Sequence, residues 1–270
     1  MSLPAVYRNL SRHEIRGAIL GTLMGDSSIQ MHGRNGRLQM GHSPKVEDYV
    51  VLKGEILKQV PGVSFSYGQY TNTDKRTGKV YPYVQARTTT HPLFTKMRER
   101  MYRPNKRINK GILESLTPLG IALWFMDDGH LSIAYNRPRY ATDVGKAPSE
   151  RSIQARNINL ATHGFTEEEN HLICRWLKER FDIDARVKNS KGFFIFMNTT
   201  NARKFVDIVR PYVLPVVSMR YKIDFRYSPK HSPGLLKYNV SYWIDANGDI
   251  VAREEEHERI GSGMWDFIVR

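Results

Sequence analysis

The chain has 270 residues, 40% of them hydrophobic and 11% aromatic, enough for one large domain or two ordinary ones with a full core. No run of 18 apolar residues occurs, and the start Met1-Ser2-Leu3-Pro4 lacks a secretory pattern, so neither a membrane span nor an export signal is expected. The one cysteine, Cys174, excludes disulfides and zinc ribbons and suggests a reducing, intracellular compartment, bacterial, phage or organellar, while the net charge of +14 points to a polynucleotide partner.

In chain order, a first helix is expected over about residues 13 to 26, with Ile15, Ile19 and Leu23 on an apolar face. Gly17, Gly21 and Gly25 line a second stripe of that helix. Each costs roughly 0.5–1 kcal/mol relative to alanine, which is reasonable where another backbone packs closely. Ser28 to His32 and Arg37 to Met40 form a hairpin, with its turn expected at Asn35-Gly36. Alternation places Ile29, Met31, Leu38 and Met40 on one face and Gln30, His32, Arg37 and Gln39 on the other. Ser43-Pro44 opens a helix to about Gln59. A second hairpin joins Val63–Tyr70 to Val80–Thr90, turning near Lys75 to Gly78, and presents Gln85, Arg87 and Thr89 on its polar face. A helix from Pro92 to Tyr102 closes this half.

The second half repeats the order. Thr117-Pro118 starts a helix to Asp128. Strands follow near Leu131–Ala134 and at Ile153–Ala161, separated by a long basic loop carrying Arg137, Arg139 and Lys146. Thr166 and Glu169 form a capping box for a helix to Phe181. Strands at Ala185–Lys188 and Phe193–Met197 and a helix over Asn201–Val209 complete an α+β protein of two αββαββα repeats. The boundaries are 1–12 for an N-terminal segment, 13–102 and 117–224 for the repeats, 103–116 for the linker and 225–270 for an extension. The extension contains a small hairpin about Asn247-Gly248 and receives no role.

Both repeats begin with an apolar helix that ends on an acid: Leu20-Gly21-Thr22-Leu23-Met24-Gly25-Asp26 and Leu123-Trp124-Phe125-Met126-Asp127-Asp128-Gly129. Adjacent carboxylates repel unless a cation sits between them, so two acids at one seam suggest a divalent-metal site. Lys106 and Lys222 follow similar stretches, Met101-Tyr102-Arg103 and Met219-Arg220-Tyr221, at the matching ends of the repeats.

At these residues the sequence resembles the LAGLIDADG homing endonucleases, in the single-chain, intron-encoded branch. Leu116-Thr117-Pro118, Phe165-Thr166-Glu167, Arg210-Pro211-Tyr212 and Tyr221-Lys222 extend the likeness over roughly residues 13 to 224. The resemblance implies a monomer whose two motif helices pack at the centre and whose antiparallel sheets form a saddle on double-stranded DNA. It implies that Asp26 and Asp128 hold Mg²⁺, that Lys106 and Lys222 assist catalysis, and that both strands are cut to leave short 3′ overhangs. Mn²⁺ is expected to substitute for Mg²⁺, and Ca²⁺ to support binding without cleavage.

On that reading Gln30, His32, Arg34, Arg37, Gln39, Gln85, Arg87, Thr89, Arg186 and Lys188 contact DNA, with Arg suited to guanine and Gln to adenine. Arg137 and Arg139 are expected to contact DNA as well, and Lys75, Arg76 and Lys146, on hairpin turns, suit phosphates. Three departures from the family pattern stand out: Ser27 replaces the closing glycine, Leu123 replaces a packing glycine, and Asp127 adds a second acid. Asp127 either supports the metal-binding acid or ends the helix. The alternative function is an RNA maturase acting on a host intron with the same fold. An intein origin is not expected, since the chain starts at Met1 and lacks a terminal His-Asn junction.

Overall fold

The computed structural model describes residues 3–102, 104–135, 153–225, 240–244 and 250–254. A Ser11–Glu14 capping box starts helix α1 (Arg12–Met24), which leads into strands β1 (Ser28–His32) and β2 (Asn35–His42). A single 3₁₀ turn at Pro44–Val46 feeds α2 (Glu47–Leu57). Strands β3 (Phe65–Thr73) and β4 (Val80–Thr88) and helix α3 (Pro92–Met101) follow. The linker holds a short helix, α4 (Lys110–Glu114).

The second repeat runs through α5 (Pro118–Asp128), β5 (Gly129–Tyr135), β6 (Ile153–Ala161) and α6 (Glu167–Phe181). It continues with β7 (Arg186–Asn189), β8 (Phe193–Met197) and α7 (Thr199–Val213). The sheets are antiparallel and share one order, β1-β2-β4-β3 and β5-β6-β8-β7. The repeat expected from sequence is therefore present in topology as well as in element order. Beyond it, β9 (Val240–Ile244) pairs with β10 (Ile250–Glu254), while the Asn247-Gly248 turn lies outside the described residues.

The alternating pattern places the core correctly: Ile29, Leu38, Met40, Val84 and Ala86 are buried beneath the first sheet, although Met31 is 45% exposed. The first turn falls elsewhere than expected. His32 pairs with Asn35, so Gly33-Arg34 make the turn, and Gly33 adopts the left-handed φ of 62°. Asn35-Gly36 instead opens β2, where a Cβ on Gly36 would meet Ile29 at 2.7 Å. Close packing keeps that glycine in the strand. Helix α1 also stops at Met24, before its acid. Helix α7 runs one turn past the expected end despite Pro211, and thereby buries Val213.

The two motif helices meet backbone to backbone. A Cβ built on Gly21 would lie 1.9 Å from the Gly120 carbonyl oxygen, and one on Gly120 would lie 2.2 Å from the Gly17 carbonyl oxygen. The glycine stripe is thus a contact surface. The partner glycine in the second helix is Gly120 rather than the residue at Leu123, so the contact is offset between repeats. Flanking side chains Ile19, Leu20, Leu23, Leu123, Trp124 and Phe125 are buried. Burying each such side chain contributes about 1.5–3 kcal/mol, which holds the repeats together along this seam.

Candidate active site

The seam delivers both motif acids to one end of the helix pair. Asp26 follows the α1 cap residue Gly25 and has 48% of its side chain exposed, while Asp128 is the last residue of α5. Burial, then the charges of Asp26 and Asp127, push the Asp128 carboxyl up to about 7. Mutual repulsion between neighbouring carboxylates is what a divalent cation relieves, so the acids suit a hard metal ion.

Lys106 and Lys222 occupy equivalent places. Lys106 Nζ donates to the carbonyl oxygens of Gly25 and Ser27, both at 2.8 Å. Lys222 Nζ donates to the carbonyls of Met126 and of Asp127, the latter at 3.2 Å. Each ammonium therefore sits where carbonyls crowd at the end of a motif helix, a position the helix dipole favours for a cation. Burial holds both below the ordinary lysine range, against the pull of the nearby aspartates; Lys222 lies at about 8. Ser27 fits as a side-chain partner: its hydroxyl lies 2.7 Å from that of Thr22 in the core.

Two residues that the sequence reading passed over complete the site. Lys53 of α2 is 1% exposed, and its Nζ lies 2.9 Å from Asp127 Oδ1 and 3.0 Å from His42 Nε2. His42 Nδ1 is 3.6 Å from Asp26 Oδ2, and Asp127 Oδ2 accepts the Asp26 backbone N–H at 3.2 Å. Burial opposes the charge on Asp127, but Lys53 and His42 hold its carboxyl down to about 2. Ligand atoms of Asp26, His42 and Asp127 all lie within 4.8 Å of one another. Asp128 stands outside that group of three, and Lys53 is the cation paired with Asp127.

Both missed residues had a sequence signal. His42 shares the parity of Leu38 and Met40, and Lys53 shares the helical face of Tyr49 and Ile56, so each is a polar residue on an apolar stripe.

Of the expected DNA-contacting residues of the first repeat, Gln30, Arg37, Gln39, Gln85 and Arg87 lie on one sheet face. Gln30 pairs with Arg37 across β1 and β2, and Gln39 with Arg87 across β2 and β4. Gln85 accepts from Arg87 Nε at 2.7 Å, and the Arg87 guanidinium lies 5.4 Å from the Tyr70 ring centre. Arg37 Nε and Gln39 Oε1 are shielded with no hydrogen-bond partner among the described residues. His32 and Arg34 are exposed at the first turn, and Lys75 and Arg76 at the tip of the second hairpin. Thr89 lies past the end of β4, where its hydroxyl accepts from the Ser64 amide at 3.1 Å. In the second repeat Arg186 and Lys188 are exposed on β7, Lys188 lying 3.5 Å from the Phe196 ring centre. Arg137, Arg139 and Lys146 fall outside the described residues.

Duplicated αββαββα halves, sewn along two close-packed helices that each deliver an acid to the seam, define a two-repeat protein with one acidic site shared between its halves. The model of the LAGLIDADG DNA endonuclease family matches residues 16–205, and the chain belongs to that family. Its fold is similar to that of the homing endonuclease I-WcaI bound to its DNA recognition sequence, with a TM-score of 0.65, 23% identity and coverage of 80% of this chain and 88% of that one. A probable intron-encoded endonuclease 1 of Wickerhamomyces canadensis is 25% identical over 214 residues, 77% of this chain and 82% of that protein. The RecA protein of Mycolicibacterium chitae is 26% identical over 214 residues, 76% of this chain and 45% of that protein. The chain spans about half the length of RecA relatives of this kind.

Proposed function

We propose that this protein is a site-specific endonuclease that hydrolyses both strands of a long, asymmetric DNA duplex, as a monomer and with Mg²⁺, leaving short 3′ overhangs. The observation that carries the reading is the delivery of Asp26 and Asp128, from two halves of one chain, to the same end of a close-packed helix pair. A divalent ion held there would activate the attacking water and stabilise the leaving 3′ oxygen.

The chain's own groups do the rest. Lys106 and Lys222 fix the two helix ends and bring positive charge beside the acids, where it offsets charge developing on a phosphate. Arg37 and Gln39, with Gln30, Gln85 and Arg87, offer donors and acceptors suited to base edges. Lys75 and Arg76, at a hairpin tip, suit the backbone.

The test is selection by cutting. A randomised linear duplex pool is incubated with the protein in Mg²⁺, and the new ends are sequenced, with the Asp26→Asn/Asp128→Asn double variant in parallel. One long, non-palindromic site with 3′ overhangs, obtained with the wild type alone, is expected. No enrichment, or equal enrichment with both proteins, would refute the reading.

A further inference from the structure

Among the buried groups near the seam, one cluster breaks the correspondence between the repeats. Asp127 precedes Asp128, but the residue preceding Asp26 is Gly25. His42 ends β2, while Ala161 ends β6. Lys53 is the seventh residue of α2, while the seventh residue of α6 is Ile173, also buried. An ammonium, an imidazole and a carboxylate on one side thus match an isoleucine, an alanine and a glycine on the other.

Packing alone does not call for the charges, because the apolar set serves in the second repeat. A buried ion pair is also weak as a stabilising device, since desolvation offsets most of its attraction. The geometry gives the cluster a different use. The Lys53 ammonium bridges Asp127 Oδ1 and His42 Nε2. His42 Nε2 also lies 3.0 Å from Asp127 Oδ1, and its Nδ1 faces Asp26 Oδ2 at 3.6 Å. The other oxygen of Asp127 holds the Asp26 amide at 3.2 Å. Asp26 is therefore held at its main chain by Asp127 and faced at its carboxylate by His42, and a buried lysine that touches neither group of Asp26 fixes both partners.

We infer that Lys53, His42 and Asp127 are positioning residues for Asp26, that Asp128 has no such support among the described residues, and that the two DNA strands are consequently cut at unequal rates. The inference rests on the endonuclease reading for its effect on rate. Partners of this kind, behind a metal-binding group, are worth about 10–100-fold in affinity or activity when removed.

Two variants test it: His42→Ala, and the triple variant Lys53→Ile/His42→Ala/Asp127→Gly, which copies the other repeat and leaves no buried charge unpaired. Single-turnover cleavage in Mg²⁺ is followed on a selected duplex labelled at the 5′ end of each strand in turn. The wild type should cut one strand faster. Both variants should slow that strand by about 10–100-fold and leave the slower strand near its original rate. Equal wild-type rates, equal slowing of both strands, or no slowing would overturn the inference.

Hydrogen–deuterium exchange of the peptide spanning Asp26, without metal or DNA, supplies the second readout. Exchange should be faster in the triple variant than in the wild type, and unchanged exchange would show that Asp26 is not held. A wild type that cuts no duplex while the exchange difference persists would sink the endonuclease reading and leave the positioning of Asp26 standing.

Discussion

Lys53 Nζ lies 2.9 Å from Asp127 Oδ1 with both side chains almost wholly buried, tying α2 of the first repeat to the end of α5 of the second. Removing one partner of such a pair leaves the other charge buried alone, which costs about 3–5 kcal/mol. Lys53→Met should therefore destabilise the fold by about that amount, and Lys53→Met/Asp127→Asn should recover most of the loss. Urea denaturation measures both. Equal midpoints for Lys53→Met and the wild type would show that the pair does not form.

The carboxylates at the seam should divide binding from cutting. Asp26→Asn and Asp128→Asn keep the shape of each side chain and remove its charge. Each should abolish cleavage in Mg²⁺ and retain binding to the target in Ca²⁺, because the proposed function gives these acids the metal and not the bases. Gel-shift titration beside a nicking assay decides this. Near-normal nicking by either variant would exclude that acid from the metal site.

For the lysines, Lys106→Ala and Lys222→Ala should each slow single-turnover cleavage by about 10²–10³-fold, the usual loss for one electrostatic contact to a transition state. Both lysines also fix the carbonyls that end the motif helices, so a fall in thermal midpoint should accompany the slower rate. A fall in midpoint with cleavage at the wild-type rate would make them purely structural.

The glycine seam gives a prediction independent of function. A Cβ at Gly21 would lie 1.9 Å from the Gly120 carbonyl oxygen, and backbone cannot give way as a flexible side chain can. Gly21→Ala should therefore destabilise by at least about 1–3 kcal/mol, although alanine favours a helix. If Gly21→Ala raised the denaturation midpoint, helix propensity would outweigh the close approach.

Much of this was legible in the sequence because the signals were local. Capping residues, alternation and the stripe at Gly17, Gly21 and Gly25 each depend on a few neighbouring positions, and they placed the elements and the two acids. The Asn35-Gly36 dipeptide misled because a strong turn sequence yielded to tertiary packing, with Gly36 held against Ile29 in a strand. His42 and Lys53 were passed over for a related reason. Each marks an apolar stripe as imperfect, but the partner that explains both, Asp127, is contributed by the other repeat. Sequence shows the irregularity, and only the fold supplies its cause.

The target itself should reflect the inequality of the halves. One chain supplies both acids, so no second copy is needed, and light scattering should give the monomer mass with and without DNA. The polar faces differ as well: Gln39, Gln85 and Arg87 cluster across β2 and β4, while Arg186 and Lys188 stand opposite Phe196 and Phe194. A palindrome would present the same bases to two unlike surfaces, so the preferred site should lack dyad symmetry, unlike the sites of symmetric dimers. Arg87 is held by Gln85 Oε1 at Nε, which leaves the guanidinium's terminal nitrogens to pair with a guanine. Arg87→Ala should relax discrimination at one base position in one half-site by about 1–3 kcal/mol and leave the other half-site unchanged. Cleavage across all single-base variants of the target measures this directly. A dimer on a palindromic site, or a loss spread evenly over both halves, would overturn the assignment of the first sheet to one half-site.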